Sequence, residues 1–168
     1  MSARTGRRRL TLLLAVVTAA ALAASLPGSV RDDWQRGGLY VFSREFLDEL
    51  PRRLSGPGRF RFLLQPAVAT AFGMRAGLAD ARVGKQPYLW ALLAGRGERA
   101  WLLRDGFDTI AHLLLAGILA DSVSQWLIYG SSHPGAALEV GPVLIAVPYA
   151  VARALANRYT RLGARHGQ

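Results

Sequence analysis

The chain alternates four apolar stretches, 10–26, 60–79, 107–129 and 138–156, with charged connections. A hydrocarbon core about 30 Å thick takes roughly 20 helical residues to cross, and the longer stretches reach that length. The pattern predicts an all-α polytopic membrane protein with about four transmembrane helices and short interfacial amphipathic helices. At 168 residues, the four stretches leave little for a soluble portion, so a single membrane domain over 1–168 is expected.

The first stretch, LTLLLAVVTAAALAASL, follows a basic cluster and ends in small residues. It reads either as an anchored helix or as a signal peptide cleaved near Ala23 or Ala24; the three later stretches favour the anchor. In the second, the uninterrupted apolar part covers only 62–74 before Arg75 intervenes. It still suffices to cross if the Arg75 guanidinium extends toward the head groups.

The connections carry their own patterns. Residues 39–54 place Leu39, Phe42, Phe46, Leu47, Leu50 and Leu54 at helical spacing among charges. An amphipathic helix is expected there, on the membrane surface or against the protein's own spans, with Ser43 capping it and Pro51 ending or kinking it. Residues 87–104 form two apolar-aromatic pieces around Gly95-Arg96-Gly97, and Tyr88, Trp90 and Trp101 suit the head-group level.

The net charge of +10 changes the picture only through its placement. Arg4, Arg7, Arg8 and Arg9 precede the first stretch; Arg75, Arg82, Lys85, Arg96, Arg99 and Arg104 lie between the second and third; Arg153, Arg158, Arg161 and Arg165 close the chain. With four crossings these three groups share one side, against seven basic residues in and at the end of the first connection (Arg31, Arg36, Arg44, Arg52, Arg53, Arg59 and Arg61), so both termini are expected in the cytoplasm. Because topology already accounts for the charge, nucleic-acid binding is not expected, and the basic middle connection should meet anionic lipid. Cysteine is absent, which excludes disulfides, thiolate metal sites and cysteine nucleophiles.

Polar residues inside apolar stretches are costly and mark function or helix association. Asp121 lies within about 5 Å of the middle of 107–129, with Gln125 on the same face. Asp108 and His112 share nearly the opposite face, one turn apart. A mid-bilayer carboxylate carries a proton or cation, or joins helices through Gln125, Ser122 or Gln65. On the joining alternative, asparagine should replace Asp121 without loss and leucine should not.

Arg153 should meet Asp108 if the last two helices are antiparallel, and the ridge Ala146, Ala150, Ala154 invites a close helix contact. Glu139 opens the fourth stretch, where a helix dipole favours a carboxylate. Enzyme motifs are weak. Ser131-Ser132-His133 lacks a placed acid, and His112, His133 and His166 are too scattered for zinc. Residues 77–82, GLADAR, have a faint likeness to the core of the CDP-alcohol phosphotransferases but lack that family's further aspartates. No catalytic residue, cofactor or metal is therefore expected.

The segments FRFLLQPAVATAFGMRAGLADARVGKQPYLWALLAG and LADSVSQWLIYGSSHPGAALEVGPVLIAVPYAVARALANR resemble a family of uncharacterised small bacterial integral membrane proteins. The likeness covers roughly 45–160, with Ala76 standing where that family tends to have an acid. The resemblance implies a bacterial cytoplasmic membrane and no particular activity. The expected function is that of a non-enzymatic assembly or accessory factor with a membrane-protein partner or a second copy. The alternatives are a small oligomeric transporter or proton-coupled channel using Asp121, and a lipid-modifying membrane enzyme.

Overall fold

A computed structural model describes residues 2–56, 59–94 and 99–166. Among them all regular structure is helical: α1 (Ser2–Arg36), a 3-10 turn (Tyr40–Phe42), α2 (Arg44–Ser55), α3 (Arg61–Arg82), α4 (Tyr88–Ala94), α5 (Arg99–Tyr129) and α6 (Pro134–His166). Three helices are long and apolar enough to cross a membrane, over Arg8–Arg36, Arg99–Tyr129 and Pro134–Gly163. The second apolar stretch is the helix α3, which is not one of these three.

Several boundaries differ from those the hydrophobic pattern gives. The first helix does not stop at residue 26: it continues through Pro27 to Arg36. Proline keeps a helical φ but forfeits one backbone donor and crowds the carbonyl four residues back, so the helix runs past it only where its other contacts outweigh that cost. Pro51 likewise sits inside α2 instead of ending it, and the last turn closes with Gly56 donating to the Arg52 carbonyl. The predicted Ser43 cap is present, its hydroxyl oxygen accepting from the Phe46 amide. In the middle connection, 99–104 belongs to the start of α5, leaving α4 as the separate short helix. The Gly95-Arg96-Gly97 break lies outside the described residues.

Two compact units divide the chain. The first comprises Met1–Leu63 with His112–Val143, and the second Leu64–Ala111 with Leu144–Gln168. In the first unit, Tyr40, Phe46 and Ala136 form a buried cluster extended by Val41 and Val140, with the Tyr40 and Phe46 rings edge to face at 5.7 Å. The helices α5 and α6 approach closely where a β-carbon at Gly141 would lie 2.8 Å from the Ile118 amide nitrogen. By contrast α1 leaves Leu12, Leu13, Val16, Val17 and Val30 exposed, and its buried Thr18 donates to the Leu115 carbonyl of α5.

In the second unit α3 and α6 pack backbone to backbone. A β-carbon at Gly73 would collide with the Tyr149 carbonyl oxygen, and one at Gly77 with that of Arg153. Glycine lets the helices close to this distance, as small residues do in membrane helix pairs. The face of α6 at this contact carries Tyr149, Ala152, Arg153 and Ala156. The expected ridge Ala146, Ala150, Ala154 is only half-buried.

Candidate functional site

Two buried ionic clusters, one in each unit, are built from the helix ends inward. In the first unit Arg61, at the start of α3, meets Asp121 of α5, with Nη2 at 2.6 Å from Oδ1. Both side chains are almost fully buried, 4% and 1% exposed. Arg61 also donates through Nη1 to the Ala120 carbonyl at 3.1 Å. The second carboxylate oxygen of Asp121 accepts from Gln125 Nε2 at 2.6 Å, as their shared helix face predicts. Gln125 in turn accepts at Oε1 from the His133 amide at 2.9 Å. One carboxylate thus ties α3 to α5 and, through Gln125, to the turn that opens α6.

That turn is polar throughout. Ser122 and Ser132 share a hydrogen bond of 2.7 Å, so the Ser132 hydroxyl is directed at Ser122. Gly130, at φ 72°, supplies the left-handed step out of α5 that a side chain resists. His133 is buried with its ring stacked on Tyr40 at 4.0 Å, and its Nε2 lies 3.7 Å from Asp32 Oδ2. Tyr40 donates a short hydrogen bond to Glu49, whose backbone carbonyl accepts from the Tyr129 hydroxyl. Arg36 bonds both Asp33, at 3.0 Å, and Glu45, at 2.7 Å, and stands over the Tyr40 ring.

Burial, and next the Arg36 charge, push the His133 imidazole below its ordinary value of 6.5, against the opposing acids Asp32, Asp33 and Glu49. The native chain therefore resists a proton that the unfolded chain accepts. This contribution to stability is complete above pH 6.5 and is lost as the pH falls below it. Thermal melts between pH 7.5 and 5 should show a decline on acidification. His133→Phe, which keeps a ring against Tyr40 and cannot titrate, should flatten it; an unchanged pH slope in that variant would refute the assignment.

In the second unit Arg153 is the centre. Its Nε donates to Asp80 Oδ2 at 2.7 Å, its Nη2 to Asp80 Oδ1 at 3.2 Å and to Asp105 Oδ2 at 2.7 Å, and its Nη1 to the Tyr149 hydroxyl at 3.0 Å. The fork of donors matches a bidentate carboxylate with a second acid alongside. Lys85 lies 3.7 Å from Asp80 and offsets the second negative charge. The Lys85 carbonyl accepts from Asn157, whose own Oδ1 is buried without a hydrogen-bond partner. Tyr88 covers the guanidinium, its ring 4.5 Å from Arg153, and donates to the Leu102 carbonyl. Burial raises the Tyr88 phenol above its ordinary value, with the Arg153 charge opposing.

The expected Arg153–Asp108 pair is corrected by this geometry. Asp105, one turn earlier on α5, takes that place and Asp108 is exposed. A three-residue step along a helix moves a side chain about 4.5 Å, enough to change the partner without changing the face much. Glu139 is also exposed and lies in the second turn of α6, because Pro134 opens the helix. The dipole effect expected there fades beyond the first turn. His112 is half-buried, and Gln65 keeps a buried carbonyl oxygen without a hydrogen bond. Among the described residues no three His, Asp or Glu side chains gather as metal ligands.

Arg61, Asp80, Asp105 and Tyr149 were not singled out by the sequence as site residues. Their available signal was position, since Arg61 and Asp80 bracket α3 with one charge, Arg75, between them. Comparison with family models, curated proteins and solved structures returned no match.

Proposed function

We propose that this is a four-span protein of a bacterial cytoplasmic membrane, a non-enzymatic assembly or accessory factor whose buried polar residues hold its helices in a fixed arrangement for a membrane partner. The carrying observation is the state of Asp121, 1% exposed, with one oxygen on Arg61 and the other on Gln125. A transported proton or cation needs a carboxylate that water reaches and that is free to exchange partners; a fixed scaffold needs one that is buried and saturated. Arg153, held by two acids and a tyrosine, supports the same reading.

The fourth crossing in this proposal is α3. Two of its charges, Arg61 at the start and Asp80 in the last turn, are paired with Asp121 and with Arg153, which lowers the cost of ending a short span near those residues. The basic middle connection then faces the cytoplasmic leaflet, where Lys85 stands over the Trp101 ring at 4.8 Å and Arg82, Arg99 and Arg104 are exposed. Reporter fusions after Lys85 and after Gln168 should both read cytoplasmic. A periplasmic signal after Gln168 would remove the fourth span.

Affinity purification from native membrane tests the role itself: a membrane protein should co-purify in fixed stoichiometry. Liposomes containing the purified chain should pass neither protons nor monovalent cations. A flux that Asp121→Asn abolishes at normal protein level would replace this reading by transport.

A further inference from the structure

In the second unit α3 and α6 flank an open apolar groove of about 640 Å³. Met74 and Leu78 line it from α3, Val151 and Leu155 from α6, and the small Ala152 and Ala156 lie where the two backbones meet. Its volume falls within the roughly 300–1,000 Å³ of small-molecule and cofactor sites. Along α6 it runs from Val147 to Thr160. At 1.5 Å per residue that is about 20 Å. The hydrocarbon depth of one leaflet is about 15 Å, so an acyl chain fits end to end. A transmembrane helix about 10 Å across would occupy roughly 1,500 Å³ over the same length, more than the groove holds.

The groove is polarised. Tyr159 and Thr160 bring hydroxyls to one end. Arg82 follows Leu78 one turn along the ridge Thr70, Met74, Leu78, and so extends the α3 wall toward that end. Arg82 is exposed, and among the described residues it has no acidic partner. An apolar trough with two hydroxyls at one end and the Arg82 cation beyond them, flanked on α6 by Arg158 and Arg161, matches an amphiphile with an anionic head.

We propose that this groove holds one acyl chain of an anionic phospholipid, whose phosphate meets Arg82 and the Tyr159 hydroxyl. The inference rests on the membrane reading of α6 and is independent of the role given to Asp121. The chain purified in detergent would be titrated with phosphatidylglycerol or phosphatidylcholine of matched tails, and retained lipid counted by native mass spectrometry. One phosphatidylglycerol per chain should be retained, roughly fivefold in preference to phosphatidylcholine. Arg82→Gln should bring phosphatidylglycerol retention down toward that of phosphatidylcholine, while Val151→Trp should fill the groove and lower retention of both lipids. Helical content checks each variant, and Arg82 is exposed enough that its replacement leaves folding intact. Equal retention of the two lipids, displacement by inorganic phosphate alone, or insensitivity to both substitutions would overturn the proposal. So would a chain dimer that Val151→Trp disrupts, which would assign the groove to a second copy. Loss of membrane insertion appears separately in the reporter fusions.

Discussion

Asp121→Asn should destabilise the protein by about 3–5 kcal/mol, because it leaves the Arg61 guanidinium buried without its counter-charge. The expectation from sequence was the reverse, that asparagine would serve as well as aspartate, and it treated Asp121 as a hydrogen-bonding group alone. With Arg61 at 2.6 Å and both side chains buried, the charge of Asp121 matters as well as its oxygen atoms. Arg61→Met should cost a similar amount by stranding the carboxylate. The double variant Arg61→Met/Asp121→Leu removes both charges and should recover most of the loss, since a well-packed apolar pair often matches a buried ion pair. Unfolding in mixed detergent, followed by helicity, measures all three. Additive losses in the double variant would mean the two residues act separately and would refute the pair. The same variants separate the scaffold from the transport reading, because a double variant that is stable and still assembles with its partner has no titratable group at residue 121.

Gly77→Val should be the most disruptive apolar substitution in the chain. Its branched side chain would begin where the Arg153 carbonyl oxygen stands, and a backbone atom cannot rotate away as a side chain does. Separation of α3 from α6 would also pull Asp80 from Arg153, so the loss should exceed the roughly 1–3 kcal/mol usual for overpacking. Gly28→Ala is the matched control: that residue lies inside α1 with nothing within 4 Å of an added β-carbon. Alanine there should stabilise by about 0.5–1 kcal/mol through helix propensity. Thermal melts of the two variants should therefore move in opposite directions. A Gly77→Val protein melting with the wild type would show that the close helix contact does not form.

Hydrophobic periodicity and charge placement determined the helical class and the approximate location of every apolar segment, because burial in lipid or in a helix core leaves its mark on each residue separately. They also determined local pairings at helical spacing: the Ser43 cap and the Asp121–Gln125 contact depend only on residues three or four apart. Helix ends were less legible. Pro51 reads as an end or a kink and the apolar run fades at Pro27, yet both prolines sit inside helices; each forfeits a backbone bond and crowds the preceding turn, and contacts distant in sequence decide whether the helix continues.

Tertiary structure alone decided which charge meets which. Arg61 read as one of seven topology-setting arginines, and nothing local tied it to Asp121, 60 residues away. Arg153 did read as an ion-pair donor, but the choice among Asp80, Asp105 and Asp108 turns on a single helical step and on how closely two backbones approach. That approach was set by Gly73 and Gly77 on α3, not by the alanine ridge on α6, since the distance between packed helices follows the smaller residue on either side. Sequence records what each residue prefers to be surrounded by; only the packed helices fix which residue does the surrounding.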